Sequence, residues 1–252
     1  MVPLKKITDF LDKELKLHEF EDYAGARNGL QIENSGKVTR IVAAVDSCEA
    51  TMVAAVAAEA DLLIVHHGLF WNAPVPVTGP VYRKMKCALD ADLAVYSVHL
   101  PLDAHPKFGN NVLLAHALGF TKNLSPFGEN HGRKIGVALE ADVPLKELQS
   151  RLTTATGQPA ILAGKGPSRC RRIGIISGGA GSDIYQAAAA GLDTYITGEA
   201  SHGDYLAAEE LGLNLLLGGH YATETFGIKA LAHFVAKKFR LPRTFIDHPT
   251  PL

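Results

Sequence analysis

The chain has 252 residues, a formal net charge of −1 at pH 7, 47% hydrophobic residues and 20% charged residues. This balance excludes a disordered chain, and without a basic excess it carries no strong nucleic-acid signal. The length accommodates two modest domains or one large one. No apolar run is long enough to span a bilayer, and the opening MVPLKKITDFLDKEL has no apolar signal core, so the expected location is cytoplasmic. The cysteines Cys48, Cys87 and Cys170 are scattered and form no Cys-x-x-Cys pair. Core packing is therefore their expected role, rather than a disulfide framework or a thiolate metal site.

The first segment, to about Leu17, reads as an amphipathic helix. A polar loop with Asn28-Gly29-Leu30 follows. RIVAAVD (40–46) is short, β-branched and apolar, as a buried parallel strand is. Ser47 is a candidate cap for the alanine-rich helix CEATMVAAVAAEA. DLLIVHHG (61–68) is a second buried strand, and a Pro-rich loop (WNAPVPVTGP) leads to a helix through Met85 and Leu89. LAVYSVH (93–99) is a third strand, followed by the loop LPLDAHPKFGNN and a helix through Leu113 to Leu118. Alternation of this kind marks an α/β fold with a mainly parallel sheet and helices on its faces.

A second α/β stretch begins after SPFGENHG (125–132), a run rich in turn residues where the halves join. The expected domains are residues 1–126 and 127–252, with the last segment from about 219 packing back on the first half. In the second half RKIGVALE, RRIGIISGG, DTYITGE and NLLLGGH read as strands. VPLKELQSRLTTATG, SDIYQAAAAG and HGDYLAAEELG read as helices between them, and a last helix runs from about Thr223 to Lys238. RIVAAVD, helix, DLLIVHHG echoes RIGIISG, helix, LDTYITGE. Internal duplication and the generic likeness of βα units both account for that echo.

In parallel α/β sheets ligands bind outside the carboxyl ends of the strands. Three clusters stand at such ends: His66-His67, His99 with Asp103, and His220 with Glu224. His220 and Glu224 are four apart at a helix start and share a face. Imidazole and carboxylate donors without sulfur suit Zn, Fe, Mn or Co and disfavour a purely structural zinc. A bridging carboxylate such as Glu224 would hold two ions about 3.5 Å apart. Any one of these histidines alone is more often a cap or a core residue; their recurrence at three strand ends favours metal.

These motifs resemble the GTP cyclohydrolase 1 type 2 homolog family, dinuclear-metal proteins named in eukaryotes for interaction with a transcriptional coactivator. The resemblance is carried by NGLQIE (28–33), IVHHGLFW (64–71), HLPLDAHPKFGNN (99–111), YITGE (195–199), GGHYATE (218–224) and FIDHP (245–249). It covers nearly the whole chain and is nearest the short bacterial form, which lacks an inserted central domain. It implies two interlocked α/β halves, with mainly parallel or mixed sheets flanked by helices and the metal site between them. It implies two divalent metal ions per subunit (Zn, Fe or Mn), with His66 and His67 one on each ion, Asp103 on one, His220 on the other and Glu224 bridging. It also implies a ring-like homohexamer.

The activity implied is metal-dependent hydrolysis of GTP or a related, including damaged, nucleotide by activated water. Glu199, His202 and His99 are the candidates for proton transfer. A two-metal phosphoesterase, or a metal-binding regulatory scaffold acting through protein partners without catalysis, are the alternatives. Asn28, Asn110 and Asn111 read as loop-fixing amides, and His105 as a loop residue. Phe70 and Trp71 could stack on a planar base, though core packing explains them as well. Gly178-Gly179 forms a glycine turn short of a phosphate-binding loop. His18, His116, His131, His233 and His248 have no context that points to chemistry.

Overall fold

A computed structural model describes residues 1–23, 25–71 and 76–251. Asn72 to Val75 of the Pro-rich loop expected after the His-His pair lie outside the described residues. Two compact units are formed, one by Met1–Leu102 and Ile228–His248, the other by Asp103–Gly227 and Pro249–Leu252. The fold is mixed α/β in both.

In the first unit β1 (Val2–Pro3) pairs antiparallel with β3 (Lys37–Val38). Helix α1 (Leu4–Glu14) buries Leu4, Ile7 and Leu11, one stripe at helical spacing. The main sheet has the order β13-β4-β5-β6-β2. Its strands are β13 (Arg243–Phe245), β4 (Ile41–Asp46), β5 (Leu62–His67), β6 (Ala94–Ser97) and β2 (Gly29–Ile32). All neighbours are parallel except β2, which runs antiparallel to β6. Helices α2 (Glu49–Ala57) and α3 (Gly79–Asp90) connect the parallel strands. Val42, Ala44, Leu63, Val65 and Val95 are fully buried with Met52 and Ala88 from the helices, which is why these strands read as continuous apolar runs. The expected polar loop around Asn28-Gly29-Leu30 is thus partly strand: Gly29, at φ 103°, opens β2 at the sheet edge.

In the second unit the sheet order is β7-β8-β10-β11-β12-β9. The short helix α4 (Leu100–Asp103) ends at its border and α5 (Asn110–Ala117) follows. Strands β10 (Arg169–Ile175), β11 (Thr194–Thr197) and β12 (Asn214–Leu217) are parallel neighbours. Antiparallel strands flank them: β8 (Arg133–Pro144) with β7 (Ser125–Asn130) on one side and β9 (Ile161–Gly164) on the other. The turn-rich run 125–132 therefore holds a strand and a two-residue hairpin turn, with His131 at φ 46° and Gly132 at φ 74°. Positive φ at both turn residues matches the twist of a hairpin.

Helices α6 (Leu145–Thr156), α7 (Ile184–Ala189) and α8 (His202–Glu210) complete the alternation, and Leu148, Leu152, Ile173, Ile196 and Leu216 are fully buried in its core. Helix α9 (His220–Phe239) begins in this unit; its residues from Ile228 on count with the first. The echoing segments hold equivalent positions, β4 beside β5 and β10 beside β11, both parallel. No helix of the described residues is long and apolar enough to cross a membrane.

Candidate metal centre

Parallel pairing sets the carboxyl ends of β4, β5 and β6 along one edge of the first sheet. Asp46 and His67 are register partners there, and Val65 is opposite Ser97, two residues before His99. His66, His67 and His99 accordingly come together: one ring nitrogen from each lies within 4.8 Å of the others. Their ring centroids are 4.8, 5.0 and 5.7 Å apart.

Each of the three rings turns Nδ1 to an oxygen that can only accept. His66 Nδ1 donates to the Val98 carbonyl at 2.9 Å, His67 Nδ1 to Asp46 Oδ1 at 2.7 Å, and His99 Nδ1 to Asp22 Oδ1 at 2.9 Å. Asp22 is itself fixed by Asn28 Nδ2 at 2.8 Å and by the backbone N–H groups of Tyr23 and Leu100. Burial works against the charged Asp22 carboxylate, but the hydrogen bond and charge of His99, with those of Asn28 and Tyr23, outweigh it and hold the pKa below its ordinary value. Asn28 Oδ1 accepts from the His99 backbone N–H at 2.7 Å, the loop-fixing role its type suggests. Gln31 does the same after the His-His turn, where its Oε1 accepts from Leu69 N at 2.7 Å. Trp71 stands edge-on to His99 and His67, with centroids at 4.8 and 5.2 Å.

In the second unit the carboxyl ends of β10, β11 and β12 carry glycines, and the physical reason is the start of α9. Gly178 has φ 69°, and a Cβ there would collide with the Glu224 carboxylate. A Cβ on Gly198 would lie 2.7 Å from His220 Cα. His220 Nε2 is 3.3 Å from Glu224 Oε1, one helical turn on, and His220 Nδ1 is 3.4 Å from Glu199 Oε2 at the end of β11. Burial lowers the His220 pKa, but the hydrogen bond and charge of Glu224, seconded by Glu199, reverse this and raise it to about 9. Glu224 is buried; Thr223 beside it accepts from Gly178 N at 3.0 Å, tying the helix start to the glycine turn.

Asp103, buried at the end of α4, accepts from Asn110 Nδ2 at 2.8 Å. Asn110 in turn accepts from Gly227 N at 2.7 Å, and Asn111 accepts from Ser177 N at 2.6 Å while donating to the Ile135 carbonyl. Ser177 Oγ is 3.4 Å from Asp103 Oδ1, so Asp103 is tied to the same strand end that carries Gly178. Both asparagines are fully buried.

The proton-transfer candidates separate by environment. Glu199 faces His220 and lines a cavity of about 250 Å³ with Gln158, Tyr205 and Pro251. His202 is exposed as the first residue of α8, next to the capping box of Ser201 and Asp204. His99 belongs to the first unit's imidazole cluster. His105 is buried and stacks on Phe108 at 3.5 Å; burial first, and the charge of Lys107 second, push its pKa down to about 4. Asp22 and Asp46 escaped the sequence reading. The only signal of Asp46 was its place as the last residue of a parallel strand neighbouring the His-His strand.

Comparison with known proteins adds four findings. The model of the Duf34/NIF3 (NGG1p interacting factor 3) family matches residues 2–251. A Deinococcus radiodurans protein named GTP cyclohydrolase 1 type 2 homolog is 42% identical over 249 residues, covering 98% of this chain and 94% of its own. Among solved structures, the protein ybgI, described as of unknown function, is 36% identical with a TM-score of 0.91 over 100% of both chains. A Thermus thermophilus protein is 35% identical with a TM-score of 0.89, again over 100% of both.

Proposed function

As this chain belongs to the Duf34/NIF3 family, we propose that it binds two divalent metal ions (Zn, Fe or Mn) through His66, His67, Asp103, His220 and Glu224. We further propose that it hydrolyses GTP or a related nucleotide with them. The name GTP cyclohydrolase 1 type 2 homolog, borne by relatives up to 42% identical, supports the substrate class. The same reading takes the protein as a cytoplasmic homohexamer.

The observation that carries the metal reading is the donor set. Carbonyl and carboxylate oxygens only accept, so each first-unit imidazole carries a proton on Nδ1, which leaves Nε2 as the nitrogen to offer an ion. Metal-binding histidines are built this way, with the second nitrogen held by a carboxylate or a carbonyl. Imidazole and carboxylate without thiolate suit a catalytic rather than a purely structural ion. Bound divalent ions supply Lewis acidity and lower the pKa of water. Glu199 faces His220 and lines the cavity, where a carboxylate can collect or return a proton. Asn110 and Ser177 hold the Asp103 carboxylate in place.

The test is metal analysis of the purified protein joined to GTP turnover. Two ions per chain and formate release, both reduced in His67→Ala, are the expected result. Absence of bound metal, or formate release identical in His67→Ala, would overturn the reading. Phosphate release without ring opening would instead assign a two-metal phosphoesterase. Metal binding without turnover in a broad nucleotide screen would assign a regulatory metal-binding protein acting through partners.

A further inference from the structure

A neutral histidine in water prefers its proton on Nε2, the nitrogen that a ligand of this kind must present bare. Something in the fold has to reverse that preference. For His66 the main chain does it, through the Val98 carbonyl. For His67 and His99 two side chains stand in that place, Asp46 and Asp22.

Asp46 ends β4 directly opposite His67 in the parallel ladder, so the backbone register itself brings the carboxylate to the imidazole. Its contact with His67 Nδ1, 2.7 Å, is short and charge-assisted. Asp22 comes from a loop distant in sequence, yet its side chain is only 3% exposed. It collects Asn28 Nδ2, Tyr23 N and Leu100 N besides His99 Nδ1. A carboxylate buried to that degree and held by that many donors is a fixed support rather than a mobile acid.

We propose that Asp46 and Asp22 are positioning residues: Asp46 locks His67, a proposed metal ligand, with Nε2 as its donor atom, and Asp22 does the same for His99, which shares the imidazole cluster with His66 and His67, an inference that rests on the metal-binding reading above. They touch no substrate; they act through the two rings. Losing such a partner costs about 10–100-fold in metal affinity. His66, held by backbone, is insensitive to both substitutions.

The experiment pairs ¹⁵N NMR of the histidine side chains in the metal-free protein with Zn²⁺ titration of the same samples. In the wild-type protein His67 and His99 carry the proton on Nδ1. Asp46→Ala moves the His67 proton toward Nε2 and weakens Zn²⁺ binding about 10–100-fold. Asp46→Asn retains an accepting oxygen and keeps the tautomer with most of the affinity. Asp22→Ala strips two backbone N–H groups of their acceptor and can unfold the loop, so Asp22→Asn serves at that position; both Asp22 oxygens accept hydrogen bonds, whereas asparagine keeps one, so this variant, unlike Asp46→Asn, shifts the His99 tautomer and lowers affinity less than Asp46→Ala. Asp9→Ala, which removes only an exposed ion pair with Lys5, leaves both readouts unchanged. Wild-type tautomer and Zn²⁺ affinity in Asp46→Ala would overturn the proposal. A wild-type protein that binds no Zn²⁺ would sink the metal-binding reading, while the ring tautomers would still decide whether the carboxylates set them.

Discussion

Glu224 and Gly178 occupy a space that admits only one side chain: a Cβ on Gly178 would run into the Glu224 carboxylate, and Gly178 is held at φ 69°. The glycine and the glutamate are therefore one structural choice, made where strand β10 meets the start of α9.

Gly178→Ala meets two costs, a left-handed backbone that alanine resists and displacement of a buried carboxylate. Together they predict a loss of about 2–4 kcal/mol and a protein that retains less metal. Gly203 lies inside α8, where the nearest atom to an added Cβ is Ser201 Oγ at 3.7 Å. Gly203→Ala is expected to be neutral or to stabilise by up to about 1 kcal/mol. Urea denaturation of the two variants separates a positional requirement from a general intolerance of side chains at glycine.

Asn110 joins Asp103 to the backbone of α9, donating to the carboxylate at 2.8 Å and accepting from Gly227 N at 2.7 Å, with no exposure to solvent. Asn110→Ala leaves a buried N–H without its acceptor and takes from the Asp103 carboxylate its shorter donor, Asn110 Nδ2 at 2.8 Å, leaving Ser177 Oγ at 3.4 Å. A loss of about 2–4 kcal/mol follows, accompanied by weaker metal retention as Asp103 turns. Denaturation within about 0.5 kcal/mol of wild type would show that water replaces the amide and that the link is dispensable.

What could be read from the sequence was decided by range. The parallel strands announce themselves as buried apolar runs, and the candidates at or just past their ends, His66, His67, His99, Asp103, His220 and Glu224, are visible because a strand end is a local feature. Asp46 and Asp22 were not visible as partners, since the first depends on ladder register and the second lies 77 residues from His99. The same limit hid β7 and β2. Their sequences are rich in turn residues, and they become strands only by pairing at a sheet edge. His131 and Gly132 marked a turn correctly, but nothing local said that the residues before it form one arm of a hairpin.

His105 gives a pH dependence that is separate from metal binding. Its pKa in the fold is about 4 against 6.5 for the ordinary side chain, owing first to burial and then to Lys107. Below pH 6.5 the unfolded chain takes up a proton that the fold refuses. Stability is therefore full above 6.5 and is lost as pH falls toward 4, by roughly 1–3 kcal/mol. His105→Asn can still accept from the Lys107 and Phe108 N–H groups that now point at Nδ1, and it removes this slope. Denaturation at several pH values between 4 and 7, wild type against variant, checks it.

His220 predicts the opposite trend. Its pKa is raised to about 9, burial being overcome by Glu224 and then Glu199. In the metal-free protein the stability it contributes is complete below 6.5 and is lost as pH rises through 9. Metal requires the neutral imidazole, so an ion arriving at pH 7.5 must displace this proton. Apparent affinity should then climb with pH, approaching tenfold per unit, and level off near 9. Calorimetry of Zn²⁺ binding in buffers of different ionisation enthalpy measures the released proton directly. Glu199→Gln removes one of the charges that raise the His220 pKa, so its plateau is reached at lower pH. An affinity that does not change between pH 7 and 9 would show that the ion displaces no proton from the His220–Glu224 pair and that His220 is already neutral in this range.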